Sequence, residues 1–88
     1  MAILDVDKKY DEEGDVLYLT IQSGVPGIAE ESLPGVLWRY SPNTKALVGI
    51  TILEFSDYWM EQLDELIQEL DNRLHIGKRK AKLWLSLD

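Results

Sequence analysis

The sequence contains no cysteine and only one histidine, His75, and these shortages exclude several kinds of site. Without thiols the chain cannot form disulfides, cysteine nucleophiles or cysteine-ligated zinc sites, and a metal ion would depend on carboxylates. A single histidine with no nucleophile-elbow motif does not support a Ser-His-Asp triad, and no glycine-rich phosphate loop is present. We therefore expect no enzymatic activity and no cofactor.

Long hydrophobic runs are also absent. No apolar stretch approaches the roughly 18 to 20 residues of a membrane span, and no basic-then-apolar signal stands at the N-terminus. These features predict a soluble, cytoplasmic protein. With 88 residues the chain has room for one domain, which buries only about 60 to 65% of its unfolded surface. We therefore expect a modest stability, to which a binding partner would add.

The charge of the chain is divided unevenly. Residues 1–77 carry 15 acidic and five basic side chains, whereas residues 78–88 carry four basic side chains and one acidic one, within a formal net charge of −7. The acidic body would repel nucleic acid phosphates. The basic tail has three possible roles: it binds phosphates, it binds an acidic protein surface, or it only solubilises an exposed end.

The pattern of apolar residues predicts an α+β fold. Strands are expected over residues 3–10, 16–22, 28–31, 36–41 and 46–55, because these stretches are rich in β-branched and aromatic residues or alternate in polarity. The acidic turn between the first two strands contains Gly14, which we expect to adopt a positive φ. The predicted sheet is an antiparallel β-meander of four to five strands.

One long amphipathic helix is predicted after the sheet. Its N-cap is Ser56 or Asp57, and Gly77 stands where a left-handed C-terminal stop is expected. The tail after Gly77 alternates in polarity, which predicts a short C-terminal strand. The chain is therefore divided into a domain over residues 1–77 and a basic, apolar tail over residues 78–88. The apolar face of the helix recurs at helical spacing at Trp59, Leu63, Leu66, Ile67, Leu70 and Leu74.

Two stretches, YDEEGDVLYLTI at residues 10–21 and LVGITIL at residues 47–53, resemble motifs of the bacterial domain-of-unknown-function family 2283. The resemblance implies a small β-meander domain with no assigned activity. Some members of that family lie beside genes for small toxin-like ribonucleases, so the resemblance also suggests an antitoxin-like role. This chain differs in having Thr51 where an acid is usual and residues 39–42 where an acidic turn is usual. The matching positions are Tyr10, Asp11, Asp15, Leu17, Tyr18, Gly49, Ile50 and Leu53.

The acidic residues of the first hairpin are the one candidate cation site. Hard ions such as Mg²⁺ and Ca²⁺ prefer clusters of oxygen ligands. However, the spacing does not match a known calcium loop, and acids at a hairpin tip are ordinary turn chemistry. We therefore predict no metal site. The acids concerned are Asp5, Asp7, Asp11, Glu12, Glu13 and Asp15.

Protein binding is the favoured function, because the strands over residues 16–21 and 46–55 carry apolar side chains on both faces. One helix covers only one face of a sheet, so the other would be an exposed apolar patch that favours a homodimer or another stable partner. The tail strand would then pair with a neighbouring sheet edge, while its bases meet acids. The favoured function includes an antitoxin-like role as the partner of a basic protein. The alternatives are a monomer whose tail folds back on its own sheet, a nucleic-acid-linked regulator that uses the basic tail, and, third, a metal-dependent enzyme. The predicted partner-binding residues are Trp84, Leu83, Leu85, Leu87, Lys78, Arg79, Lys80 and Lys82.

Overall fold

A computed structural model describes residues 6–86 of the chain. Along the chain, five strands come first and the helical elements follow. They are β1 (Asp7–Asp11), β2 (Val16–Thr20), β3 (Ile28–Glu31), β4 (Val36–Tyr40), β5 (Leu47–Leu53), a π-helical turn (Phe55–Trp59), α1 (Leu63–Leu74) and α2 (Lys78–Trp84).

The five strands form one antiparallel sheet in the order β1-β2-β5-β4-β3. The α+β class and the five-stranded antiparallel sheet are therefore confirmed. The strand order is not a simple meander, because β2 pairs with β5 and the chain then crosses to the far edge to begin β3. The crossing begins where the backbone N–H groups of Ile21 and Gln22 both donate to the Val48 carbonyl, at 2.8 and 3.1 Å.

The first hairpin turns at an unexpected residue. Asp15 has the left-handed conformation, with a φ of 56°, and Gly14 does not have a positive φ. The prediction for Gly14 was therefore wrong. Aspartate tolerates this region better than most residues because its short side chain forms hydrogen bonds locally.

The core lies between one face of the sheet and the helices. Buried strand residues pack against Phe55 and Trp59 of the π-helical turn and against Leu66 and Leu70 of α1. Full burial of each such side chain stabilises the fold by about 1.5 to 3 kcal/mol. The buried strand residues of this core are Leu17, Leu19, Val36, Trp38, Ile50 and Ile52, whereas buried Val48 lies outside it.

The other face of the sheet, called the open face below, is less apolar than predicted. Phe55 lies beyond β5 in the core, and Leu47 packs against the core because the pairing of β4 with β5 shifts near Tyr40. Gly49 and Thr51 take the intervening open-face positions of β5. The prediction that both faces of this strand are largely apolar was therefore wrong. The open face includes Asp7, Lys9, Asp11, Val16, Tyr18, Thr20, Ala29, Glu31, Leu37, Arg39, Gly49, Thr51 and Leu53.

The predicted long helix begins later than expected. Residues Phe55–Trp59 form a π-helical turn, in which the Met60 N–H donates to the Phe55 carbonyl at 2.9 Å, and α1 starts only at Leu63. The left-handed C-terminal residue is His75, with a φ of 53°, rather than Gly77. Gly77 instead precedes α2, with φ 87° and ψ 148°, a conformation that favours glycine.

The tail is a helix, so the prediction of a C-terminal strand was wrong. Ala81, Trp84 and Leu85 are spaced by three residues and one residue, and this spacing buries all three on one helical face. Lysine, arginine and alanine also have high helix propensities. The side-chain Nζ of Lys8 in β1 donates to the carbonyl of Leu83 at 2.8 Å and to that of Ser86. Leu87, and the first residues of the predicted strand over residues 3–10, lie outside the described residues.

Candidate partner-binding surface

Asp15 joins the first hairpin to the π-helical turn. Its carboxylate accepts hydrogen bonds from the backbone N–H groups of Ser56, at 2.8 Å, and Asp57, at 2.9 Å. The hydroxyl of Tyr10 also donates to it, at 2.6 Å, and the Phe55 N–H donates to the Asp15 carbonyl at 3.0 Å. Asp15 therefore satisfies the free N–H groups at the start of the turn, as an N-cap does.

These hydrogen bonds change the acidity of both side chains. The hydrogen bond from Tyr10, followed by that from the Ser56 backbone, lowers the pKa of Asp15 from 3.8 to about 2. The same contact with Asp15 raises the pKa of Tyr10, because the phenol is held in its neutral, donating form. This carboxylate is thus held ionised by structural contacts.

The hairpin tip also contains the acids Asp11, Glu12 and Glu13. The Oδ1 atom of Asp11 accepts a hydrogen bond from the Glu13 backbone N–H at 3.2 Å, a contact typical of turns. Across residues 6–86, no group of three or more histidine, aspartate or glutamate side chains is arranged to hold a metal ion. His75 is the C-cap residue that follows α1, and its backbone N–H donates to the Asp71 carbonyl.

The structure separates the predicted partner-binding residues of the tail into two groups. Trp84 and Leu85 are buried in the core, so the docked α2 leaves almost none of their surface exposed. Leu83 is 45% exposed. The bases lie on the surface of α2, where Lys78, Arg79 and Lys82 are exposed and Lys80 is half-buried.

An apolar groove lies beside the π-helical turn. It has a volume of about 360 Å³ and is open to solvent along the side chains of Leu53 and Tyr58, which are 37% and 47% exposed. The Tyr58 ring packs edge to face against the Trp59 ring, with 4.8 Å between their centroids. This contact holds both lining side chains in place. The groove is lined by Pro34, Gly35, Leu53, Glu54, Tyr58 and Trp59.

One acidic side chain lines this groove, and two more follow closely in the sequence. Glu54 lines it directly, and the exposed acids Asp57 and Glu61 lie on the π-helical turn and just after it. Met60, between them, is 50% exposed. Sequence reasoning missed this surface because it assigned residues 56–62 to a regular amphipathic helix. The signal that could have revealed it is the pair Tyr58 and Met60, which fall off the apolar face of that helix.

No helix within residues 6–86 is both long enough and apolar enough to cross a membrane. Comparison with known proteins finds no match among curated proteins and none among solved structures. One family model matches, described as protein of unknown function (DUF2283), over residues 8–56. This region runs from β1 to the start of the π-helical turn and includes the contacts of Tyr10 and Asp15. Because the match covers more than half of the 88 residues, the chain belongs to the DUF2283 family of proteins of unknown function.

Proposed function

We propose that this chain is a protein-binding domain whose groove beside the π-helical turn holds a partner with a basic and apolar surface. The observation that carries the proposal is the combination of exposed Leu53 and Tyr58 with the acidic Glu54 in the same lining. Exposed apolar surface with a polar rim is typical of protein interaction sites. The carboxylates would select a partner of opposite charge and speed its association.

The net charge of −7 supports the same choice of partner. An acidic protein, or an RNA or DNA strand, would be repelled by Glu54, Asp57 and Glu61, whereas a basic protein would be attracted. In the cell, such binding would correspond to an antitoxin-like role, in which the domain covers and masks a basic partner. It rests on charge and on the groove.

Self-association is a second form of the proposal, which the surface of α2 favours. Lys78, Arg79 and Lys82 are exposed there beside Leu83, so each copy presents a basic and apolar segment of the kind that the groove requires. Sedimentation velocity of the chain alone tests this form. We expect a dimer or larger species that a Lys82→Glu substitution weakens. A monomer across the accessible concentration range would contradict it.

Binding at the groove is tested with a synthetic amphipathic helical peptide that carries leucines on one face and lysines on the other. Titration followed by amide NMR should shift the signals of residues 53–59. The Tyr58→Ala variant should weaken binding by about tenfold or more, the loss expected for an aromatic contact worth about 1.4 kcal/mol.

The matched control is Ile28→Ala on β3, because Ile28 is an exposed apolar side chain, 63% exposed, that does not line the groove. We expect this variant to bind the peptide as the unchanged protein does. Equal losses in both variants, or binding that neither affects, would contradict the assignment of the groove.

A further inference from the structure

The indole N–H of Trp59 is a hydrogen-bond donor without a partner at the groove beside the π-helical turn. The Trp59 side chain is 2% exposed, and its Nε1 atom forms no hydrogen bond with any residue within residues 6–86. The Nε1 atom of Trp38 donates to Oγ of Ser32 at 2.7 Å, and that of Trp84 is itself buried. The Nε1 atom of Trp59 is not buried in this way, so an acceptor from outside the chain can reach it.

Gly35 leaves the Trp59 N–H uncovered. Both residues line the groove, and a Cβ atom at position 35 would lie 3.8 Å from Nε1 of Trp59. The Gly35 backbone is held in place, because its N–H donates to the Glu31 carboxylate and its carbonyl accepts from the Leu53 N–H, each at 2.8 Å. Its φ of 86° favours glycine, which has no side chain to fill the space. The fold therefore keeps a fixed opening beside the indole N–H.

The acceptor that suits this N–H is a neutral carbonyl oxygen. Glu54 also lines the groove, and no basic side chain within residues 6–86 does, so an anionic acceptor would be repelled. A backbone carbonyl of a peptide carries no net charge and is a strong hydrogen-bond acceptor. The groove therefore fits a peptide segment whose carbonyl is not already hydrogen-bonded.

A segment in the polyproline II conformation meets this requirement. Carbonyls inside an α-helix are bonded to N–H groups of the helix itself, whereas a polyproline II segment has no internal hydrogen bonds. Proline also lacks a backbone N–H, so a proline-rich segment leaves no such donor unpaired against apolar walls. Here the walls are formed by Pro34, Leu53 and Tyr58, and aromatic-lined grooves are a common binding site for proline-rich segments.

We propose that the groove beside the π-helical turn holds a proline-rich segment of its partner in the polyproline II conformation. One backbone carbonyl of the segment accepts a hydrogen bond from the Trp59 indole N–H. The proline rings pack on Pro34 and Tyr58, and a flanking basic side chain lies next to Glu54. This inference rests on the proposed function, because it assigns the backbone conformation of the partner at the same groove.

The probe is a short acetylated and amidated peptide of prolines with one leucine and a terminal arginine. The three tryptophans of the chain give separate indole signals in NMR spectra of ¹⁵N-labelled protein. We expect the peptide to shift the Nε1–H signal of Trp59 downfield in a saturable way. The signals of Trp38 and Trp84 should stay in place, and they serve as internal controls.

Matched peptides test each part of the proposal. Replacement of the prolines by alanines should weaken binding at least about tenfold, because the segment loses its rings and more conformational entropy on binding. Replacement of the arginine by glutamate should weaken it about threefold or more, since the charge next to Glu54 is reversed. The helical peptide of leucines and lysines should shift the amide signals of residues 53–59 without the downfield shift of the Trp59 indole signal, and it should bind more weakly than the proline-rich peptide.

A pair of variants tests the hydrogen bond. Trp59→Phe should bind the proline-rich peptide about three- to tenfold more weakly, the loss expected for one hydrogen bond. Trp84→Phe also removes a buried indole N–H, but Trp84 does not line the groove, so this control should bind as the unchanged protein does. The comparison of peptides uses the unchanged protein, so it decides the matter even if Trp59→Phe does not fold.

The possible results separate this inference from the proposed function. The inference is overturned if the proline-rich peptide leaves the Trp59 indole signal in place, if the alanine peptide binds as tightly, or if Trp59→Phe binds normally. In each of these cases, binding of the helical peptide at residues 53–59 would leave the proposed function standing. If neither peptide shifts the signals of residues 53–59, the inference and the proposed function are both wrong.

Discussion

Replacement of Trp84 by alanine tests whether α2 is part of the folded domain. The indole is 4% exposed and packs in the core. An aromatic ring of this kind buries about 150 to 250 Å², and truncation of a buried tryptophan costs about 3 to 5 kcal/mol. A domain of this size has a total free energy of unfolding of about 4 to 13 kcal/mol. The Trp84→Ala variant should therefore lose a large fraction of its stability.

Urea unfolding followed by far-UV circular dichroism measures this loss. The Leu83→Ala variant is the matched control, because Leu83 directly precedes Trp84 in the same helix and is 45% exposed. We expect the control to lose less than about 1 kcal/mol, since exposed helix positions contribute little. Equal stability of the two variants, or an unchanged midpoint in Trp84→Ala, would show that α2 does not dock.

A third variant, Trp84→Phe, distinguishes the contribution of the aromatic ring to stability from that of the indole N–H group. The Nε1 atom of Trp84 is buried without a hydrogen-bond partner among residues 6–86. A buried donor without a partner opposes folding by about 1 to 3 kcal/mol. Trp84→Phe removes this donor and keeps most of the apolar area, so it should cost much less than Trp84→Ala. If Trp84→Phe lost as much free energy of unfolding as Trp84→Ala, the indole N–H would not be a buried donor without a partner.

Three further outcomes are expected. The pKa of Asp15 is lowered in the folded state, so the ionised carboxylate adds stability above about pH 4, and this stability is lost as the pH falls towards 2. The free energy of unfolding of Asp15→Asn should therefore depend less on pH in this range than that of the unchanged protein. Tyr10→Phe removes the hydroxyl that donates to Asp15, and the carboxyl resonance of Asp15 in NMR should then titrate at a higher pH. Gly77→Ala should lower the midpoint of urea unfolding, since φ is 87° at that residue, whereas Gly14→Ala, at a glycine without positive φ, should lower it less.

The bounds of individual strands were predictable, because they depend on residues that are close together in the sequence. The bounds of β3 follow from the sequence, because turn residues stand on both sides of a short strand, and β2 and β4 differ from their predictions by one or two residues at the end. The order of the strands was not predictable in this way. It depends on the pairing of β2 with β5, which lie about 30 residues apart and carry no marker of that pairing.

The tail shows why an alternating pattern was misleading. Leu83, Leu85 and Leu87 suggest a strand, but Ala81, Trp84 and Leu85 fit a helix equally well. The helix is stabilised by packing of its buried residues in the core and by the hydrogen bond from Lys8 to the Leu83 carbonyl. Neither contact is predictable from the local sequence. Short apolar runs are ambiguous for this physical reason.

The candidate sites were less predictable than the fold. The resemblance singled out Tyr10 and Asp15, but their role as a hydrogen-bonded cap depends on the left-handed conformation of Asp15 and on its contacts with the π-helical turn. The groove depends on the same turn, which interrupts the predicted helix. Irregular backbone of this kind depends on tertiary contacts, so a reading based on regular helical periodicity does not find it.

Capture of partners on the immobilised protein tests the proposed function most directly. The unchanged protein, Tyr58→Ala and Ile28→Ala are each exposed to a lysate of the cells that produce the protein natively, and the retained proteins are quantified by mass spectrometry. We predict a basic protein that the unchanged protein and Ile28→Ala retain in equal amounts and that Tyr58→Ala loses. Retention of the same proteins by all three, or of acidic proteins only, would contradict binding of a basic partner at the groove.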